Sequence, residues 1–237
     1  MEKLPTQYLD LGDVKLAFCE QGSGPTLILL HGNSESKHLF AAHQQVHFSG
    51  FHTLAIDSRG HGETVSDDSR YTIEQYADDV IAFCRAKTIA RAFVVGYSDG
   101  GNIALFLAKK APELFPKIVA ISPNYLVSGT SDGALRLFRA IAWVTRILGK
   151  LGLPTRKALL RLDLMLTDIG ISAEELGGIR TSMRFLYAEK DLIKEDHILE
   201  MVRLVPGATV RKIGGCNHMN ILNQQEAIED MQAYLSA

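Results

Sequence analysis

Eight short apolar runs rich in β-branched or aromatic residues, separated from the third onward by helix-length segments, predict a one-domain α/β fold with an eight-stranded, mostly parallel sheet. Two observations sharpen this. Gly12-Asp13 alone divides the first two runs, and a turn that short joins antiparallel strands, whereas the later spacings require right-handed crossovers between parallel ones. The pentapeptide Gly96-Tyr97-Ser98-Asp99-Gly100 also stands between an apolar run and a helical period, as at a sharp strand-to-helix turn.

In chain order the strands are expected at 7–11, 14–21, 26–31, 53–57, 92–97, 117–122, 183–188 and 209–213. Between 122 and 182 the alternation gives way to helical periods at 132–150, 156–167 and 173–179. An insertion of that length after a strand end predicts a helical cap, residues 123–182, over the sheet's C-terminal edge, with 1–122 and 183–237 forming the core. Leu135, Phe138, Ile141, Ala142 and Thr145 recur at helical spacing and suit a face turned toward that core.

Length and composition narrow the function classes. A chain of 237 residues suffices for one sizeable domain, and 46% hydrophobic with 22% charged residues is ordinary globular composition. With 25 Lys and Arg against 27 Asp and Glu, and no basic cluster interleaved with aromatics, no nucleic-acid partner is expected. The amino terminus lacks a secretory pattern and no apolar run is long enough to span a bilayer, so a cytoplasmic location without a membrane partner is expected. Cys19, Cys84 and Cys216 are widely spaced and odd in number, which favours free thiols; no metal-ligand spacing occurs. A homo-oligomer is left open.

Parallel α/β sheets bind ligands outside the C-terminal ends of their strands. His31-Gly32-Asn33-Ser34, Asp57-Ser58-Arg59-Gly60-His61-Gly62, Ser98 and Glu189-Lys190-Asp191 follow predicted strands, and Gly214-Gly215-Cys216-Asn217-His218 follows the last. A nucleophilic serine needs a base for its proton, and the base needs a carboxylate to orient it. Ser98, Asp191 and His218 occur in the order serine, acid, histidine that such an elbow predicts, although Glu189 and Asp196 compete for the acid's place. His38, His43, His47, His52 and His197 are read as surface or hydrogen-bonded core histidines.

His31-Gly32, Asp57-x-Arg59-Gly60-His61-Gly62, Gly96-x-Ser98-x-Gly100, Asp191 and His218 together resemble the α/β-hydrolase superfamily over essentially the whole chain. The Gly-Tyr-Ser-Asp-Gly-Gly elbow and short cap are similar to small serine esterases of the valacyclovir-hydrolase-like group. The resemblance implies an α/β-hydrolase fold and cofactor-free hydrolysis of a small-molecule ester. It implies Asp191 as the acid, His218 as the base, and the backbone amides of Asn33 and Asp99 as the oxyanion hole; it makes His31 and His61 scaffolding. Same-fold amide or carbon-carbon bond hydrolysis, perhydrolysis and a non-catalytic ligand receptor are the alternatives. The family's usual Gly-x-Ser after the aspartate motif is here Gly62-Glu63-Thr64, with Thr64 standing for the serine. Asn33 is similar to the halide-binding asparagine of haloalkane dehalogenases, but their nucleophile is aspartate.

Asp99 is the unusual neighbour. A carboxylate ~5 Å from an oxyanion would repel it by about 3 kcal/mol at an effective dielectric near 20, so the side chain must turn away, be paired, or meet a cation such as a substrate ammonium. Placement of an acid at the start of a helix is the simpler account. Trp143, with Leu137, Phe138, Ile141 and Ile147, is expected to line an apolar acyl pocket or to pack within the cap.

Overall fold

The computed structural model describes residues 4–237. Strands β1 (Gln7–Asp10) and β2 (Val14–Gln21) form the expected hairpin, in register Gln7 to Phe18, with Gly12 at a φ of +98° in the turn. The remaining elements are β3 (Thr26–Leu30), β4 (His52–Ile56), β5 (Val65–Ser66), α1 (Ile73–Ala86), β6 (Phe93–Tyr97), α2 (Asp99–Lys110), β7 (Lys117–Ile121), α3 (Asp132–Lys150), α4 (Arg156–Met165), α5 (Ala173–Gly177), β8 (Ser182–Lys190), α6 (Glu195–Leu204), β9 (Thr209–Asn217) and α7 (Gln225–Ser236). Spatial strand order is β1-β2-β4-β3-β6-β7-β8-β9. From β4 to β9 every pair is parallel, while β2 runs antiparallel to both β1 and β4.

The centre of the sheet is apolar on both faces because helices cover both. On β3, Ile28 and Leu30 join Val94, Ile103 and Phe106 in one core; Leu27 and Leu29 join Val95, Val119, Phe40, Phe48, Ile228 and Met231 in the other. The chain steps from β3 to β4 on one side, then returns through α1 to β6 on the other. That reversal opens a crevice between the C-terminal ends of β3 and β6, where Asn33 and Ser98 lie.

Three sequence expectations need correction. A ninth strand, β5, pairs with β2 through Val14 to Ser66 and Lys15 to Val65; two residues are too few to give a periodic signal. The last two strands of the parallel series are longer than expected, because β8 and β9 resume pairing at Lys190 and Asn217 beyond a register shift. His218 therefore directly follows β9 rather than ending a glycine loop, and Glu189 and Lys190 lie within β8. The third concerns the helical segment between β7 and β8. Ala134, Leu135 and Ala142 of α3 are buried, but Leu137, Ile141, Trp143 and Ile147 are exposed, Trp143 to 65%.

Cys19, Cys84 and Cys216 are all buried free thiols. Among the described residues no helix is long and apolar enough to cross a membrane.

Candidate active site

Ser98 stands between β6 and α2 at φ +54° and ψ −116°, a left-handed conformation that costs energy for a residue with a β-carbon. The crowding around it explains the flanking glycines. A β-carbon at Gly96 would run into the Gly100 carbonyl, and one at Gly100 into the carbonyl of Leu30 on β3. Helix and sheet thus approach closely only because both positions lack side chains.

Three strand ends deliver the other groups. Ser98 Oγ lies 3.1 Å from His218 Nε2, and His218 Nδ1 donates to Asp191 Oδ1 at 2.6 Å. Asp191 also accepts from Ser122 Oγ at 2.6 Å and the Ala188 amide at 2.9 Å on Oδ2, and from the Ile193 amide at 3.1 Å on Oδ1. Burial by itself would raise this carboxyl, but hydrogen bonding and charge from His218, with the Ser122 and Ala188 donors, hold it below its ordinary value. Glu189 instead accepts from the Gly215 amide, and Asp196 lies on α6. His218 is also held from behind: Tyr97 Oη donates to its carbonyl at 2.7 Å, and the two rings lie 5.3 Å apart.

The first residue of α2 is Asp99, and first-turn amides have no acceptor within their own helix. Its amide is one of these, and Asn33 lies on the loop after β3 at the same switch point. The Asp99 carboxylate is paired rather than free: Asn33 Nδ2 donates to Oδ2 at 2.9 Å and Asn102 Nδ2 to Oδ1 at 3.4 Å. Burial raises its pKa against these hydrogen bonds and the His218 charge. Asn33 Nδ2 also reaches the Arg161 carbonyl at 2.9 Å, tying α4 to the sheet.

A cavity of about 320 Å³ opens over these groups, lined by Asn33, Glu35, Tyr97, Ser98, Asp99, Asn124, Phe138, Leu164, Met165, Ile193, His218 and Met219, among others. Phe138 lines it. Trp143, Leu137, Ile141 and Ile147 do not, because they lie on the outward face of α3.

Several residues around the site, Thr64 excepted, carried no recognisable signal in the chain. Glu35 Oε2 accepts from the Gly32 amide at 3.0 Å, and burial, assisted by Asp99, raises its pKa. Ser122, at φ +51°, and Tyr97 act across strands and so leave no local pattern. Lys37, fully buried, places its ammonium 2.8 Å from both Asp57 Oδ2 and Glu63 Oε1. Thr64 Oγ1 donates to the Asp57 carbonyl at 2.6 Å and accepts from the Ala17 amide, so a hydroxyl at this position joins the aspartate loop to β2.

His31 and His61 hold loops together. His31 Nε2 accepts from the Ser58 amide while Nδ1 donates to the Gly32 carbonyl, so the ring is neutral and bridges two loops; burial lowers its pKa. His61 donates Nδ1–H to the Arg59 carbonyl, and burial pushes its pKa down to about 3.

A family model described as the alpha/beta hydrolase fold matches residues 25–146, over half of the chain and including the elbow. The chain belongs to the α/β-hydrolase family. Among similar α/β hydrolases, a 2-(acetamidomethylene)succinate hydrolase of Mesorhizobium japonicum is 33% identical over 116 residues, 49% of this chain and 42% of that protein. Bifunctional epoxide hydrolase 2 of Sus scrofa is 27% identical over 132 residues, 54% of this chain and 23% of that protein. The chain thus spans less than half the length of these curated relatives. An enol-lactonase structure from Burkholderia xenovorans superposes with a TM-score of 0.78 at 19% identity, covering 98% of this chain and 100% of that one, which is likeness of fold.

Proposed function

We propose that this α/β hydrolase is a serine hydrolase cleaving a small carboxylic ester through an acyl-enzyme. The observation that carries the reading is the continuous relay from Ser98 Oγ through His218 to Asp191, with hydrogen-bond distances of 3.1 and 2.6 Å. His218 Nε2 takes the Ser98 proton as Oγ attacks the ester carbonyl. The tetrahedral oxyanion rests on the Asn33 and Asp99 amides, each such donor contributing roughly 3 kcal/mol in the transition state. Collapse expels the alcohol with the proton from His218. Water then attacks the acyl-serine by the same route, releasing the acid and restoring Ser98.

The nucleophile's identity separates this reading from epoxide and carbon-halogen chemistry. Serine opening an epoxide would form an ether, which has no carbonyl for water to attack, so the enzyme would not turn over. The helical segment bearing Phe138, Leu164 and Met165 acts in this reading as the cap that shapes the acyl pocket.

Glu35 and Asp99 both line the cavity, whose lining contains no lysine or arginine. That acidic floor favours an α-amino ester whose ammonium meets one of these carboxylates.

Two measurements test the proposal. A fluorophosphonate should label Ser98 and no other serine in the native protein, with labelling abolished in Ser98→Ala; failure to label native Ser98 overturns the mechanism. Hydrolysis of an aminoacyl ester should exceed that of its des-amino analogue, and Asp99→Asn should narrow the ratio; equal ratios in both proteins remove the amino-ester assignment while leaving the acyl-enzyme mechanism intact.

A further inference from the structure

Helix α3 is amphipathic in a way that the fold does not require. Its inward face is narrow: Ala134, Leu135 and Ala142 are buried and Phe138 lines the cavity. At 100° per residue, Leu137, Ile141, Val144 and Leu148 fall on a different stripe, continued by Leu151 just past the helix end. All five are exposed, from 37% at Leu148 to 73% at Leu151. A helix of 19 residues is about 28 Å long, so the stripe is a continuous aliphatic ridge rather than scattered surface residues.

Charge on the exposed side of α3 has one sign, and at 100° per residue it lies beyond Ile147 and Trp143, centred about 140° round the helix from the ridge. Arg136, Arg139, Arg146 and Lys150 lie on α3 against the single acid Asp132, which is paired with Lys194 at the helix start. Arg146 reaches Asp163 at 3.5 Å. Among the described residues Arg136, Arg139 and Lys150 have no acidic partner within 4.0 Å, and Trp143 projects from the same basic side of the helix.

We infer that α3 is a docking surface for an anionic lipid bilayer, lying parallel to it with the exposed arc from Trp143 through Ile147 and Leu151 to the aliphatic ridge turned toward the acyl boundary, and Arg136, Arg139 and Lys150 at the headgroups along its basic edge. Charge complementarity selects this occupant. A second copy paired about a two-fold axis would set the basic border against itself. The ridge offers aliphatic groups along its length and no side-chain hydrogen-bonding group, which suits a laterally uniform surface better than the directional contacts of a protein partner. This departs from the absence of a membrane partner expected from the lack of a bilayer-length apolar run, because a helix lying in the interface needs no such run.

Trp143 is the sole tryptophan of the chain and sits at the proposed boundary, so intrinsic fluorescence reports directly. The full chain is titrated at low salt with vesicles of phosphatidylcholine alone or of phosphatidylcholine mixed with phosphatidylglycerol, following tryptophan emission and co-sedimentation. The expected result is a blue shift and sedimentation with the anionic vesicles only, reversed by salt. Arg136→Gln and Arg139→Gln should each weaken vesicle affinity about fivefold, while Arg136→Lys and Arg139→Lys retain it. Val144→Glu, at an exposed position, should abolish the blue shift with an unchanged melting temperature.

Unshifted emission with anionic vesicles, or equal binding to neutral ones, overturns the inference. So does a blue shift that needs no lipid and grows with protein concentration, which would assign the ridge to a second copy.

Discussion

Two buried acids lie close to Ser98, one beside it in the chain and one behind His218, and their surroundings drive them in opposite directions. Asp191, beside the end of β8, has four hydrogen-bond donors, one of them the imidazole of His218, and its carboxyl is held below its ordinary pKa. Asp99, at the start of α2, has two neutral carboxamide donors and its carboxyl is raised. Burial penalises the charged form in both. The difference lies in what repays that penalty: several donors with a base able to become cationic on one side, two side-chain amides on the other. The first environment suits a permanent anion that stabilises an imidazolium. The second leaves an acid whose ionised form gains when a cation enters the cavity.

The most severe way to break the contrast is Asp191→Asn. The amide can present its N–H to His218, turning the ring to the wrong tautomer, and kcat/KM for ester hydrolysis should fall by about 10⁴-fold. Single-turnover kinetics check this, with fluorophosphonate labelling slowed in parallel. A smaller effect isolates one donor. Ser122→Ala removes the hydroxyl from Asp191 Oδ2 while leaving His218 in place, and kcat should fall about tenfold with KM unchanged, the order expected for one hydrogen bond to a buried charge. An unchanged kcat would show that the two amides suffice.

The gentlest change sharpens the contrast through stability. A group with a raised folded pKa contributes stability that is present below its unfolded value and lost as pH rises through the folded value. A depressed one contributes stability above its unfolded value that is lost as pH falls through the folded value. Asp99→Asn should therefore stabilise the protein by about 1 kcal/mol at neutral pH, with the advantage disappearing as pH falls below the carboxylate range. Urea unfolding of wild type and variant across that pH series measures it. An advantage that grows on acidification would reverse the assigned direction for Asp99.

The parts of the molecule legible in the chain were those with a local cause. Gly96 and Gly100 announce the elbow because close approach of helix and strand excludes side chains at fixed offsets from Ser98. The main strands were legible because residues such as Leu27–Leu30 must be apolar on both faces. Asp191 and His218 were legible through their chain order and their places next to strands. Ser122 and Tyr97 were not, since what they do depends on which strands become neighbours. Lys37 reads as an ordinary solvated lysine until the fold places Asp57 and Glu63 beside it. Leu137 and Ile141 mislead for another reason: α3 carries two apolar stripes, and periodicity cannot tell which one faces inward, while Trp143 lies on neither, among the basic residues.

The bond from Tyr97 Oη to the His218 carbonyl spans 121 positions of chain, and the contact of Ser98 with His218 spans 120. Contacts that distant carry a loop-closure cost and form only once the intervening strands are paired. During synthesis the strained serine turn is therefore made long before the histidine proposed as its base exists. A nascent chain that has completed β6 and α2 holds an unactivated hydroxyl, and it stays chemically silent until β9 docks and brings His218 beneath Tyr97. In the proposed mechanism, completion of the sheet is thus what arms the nucleophile.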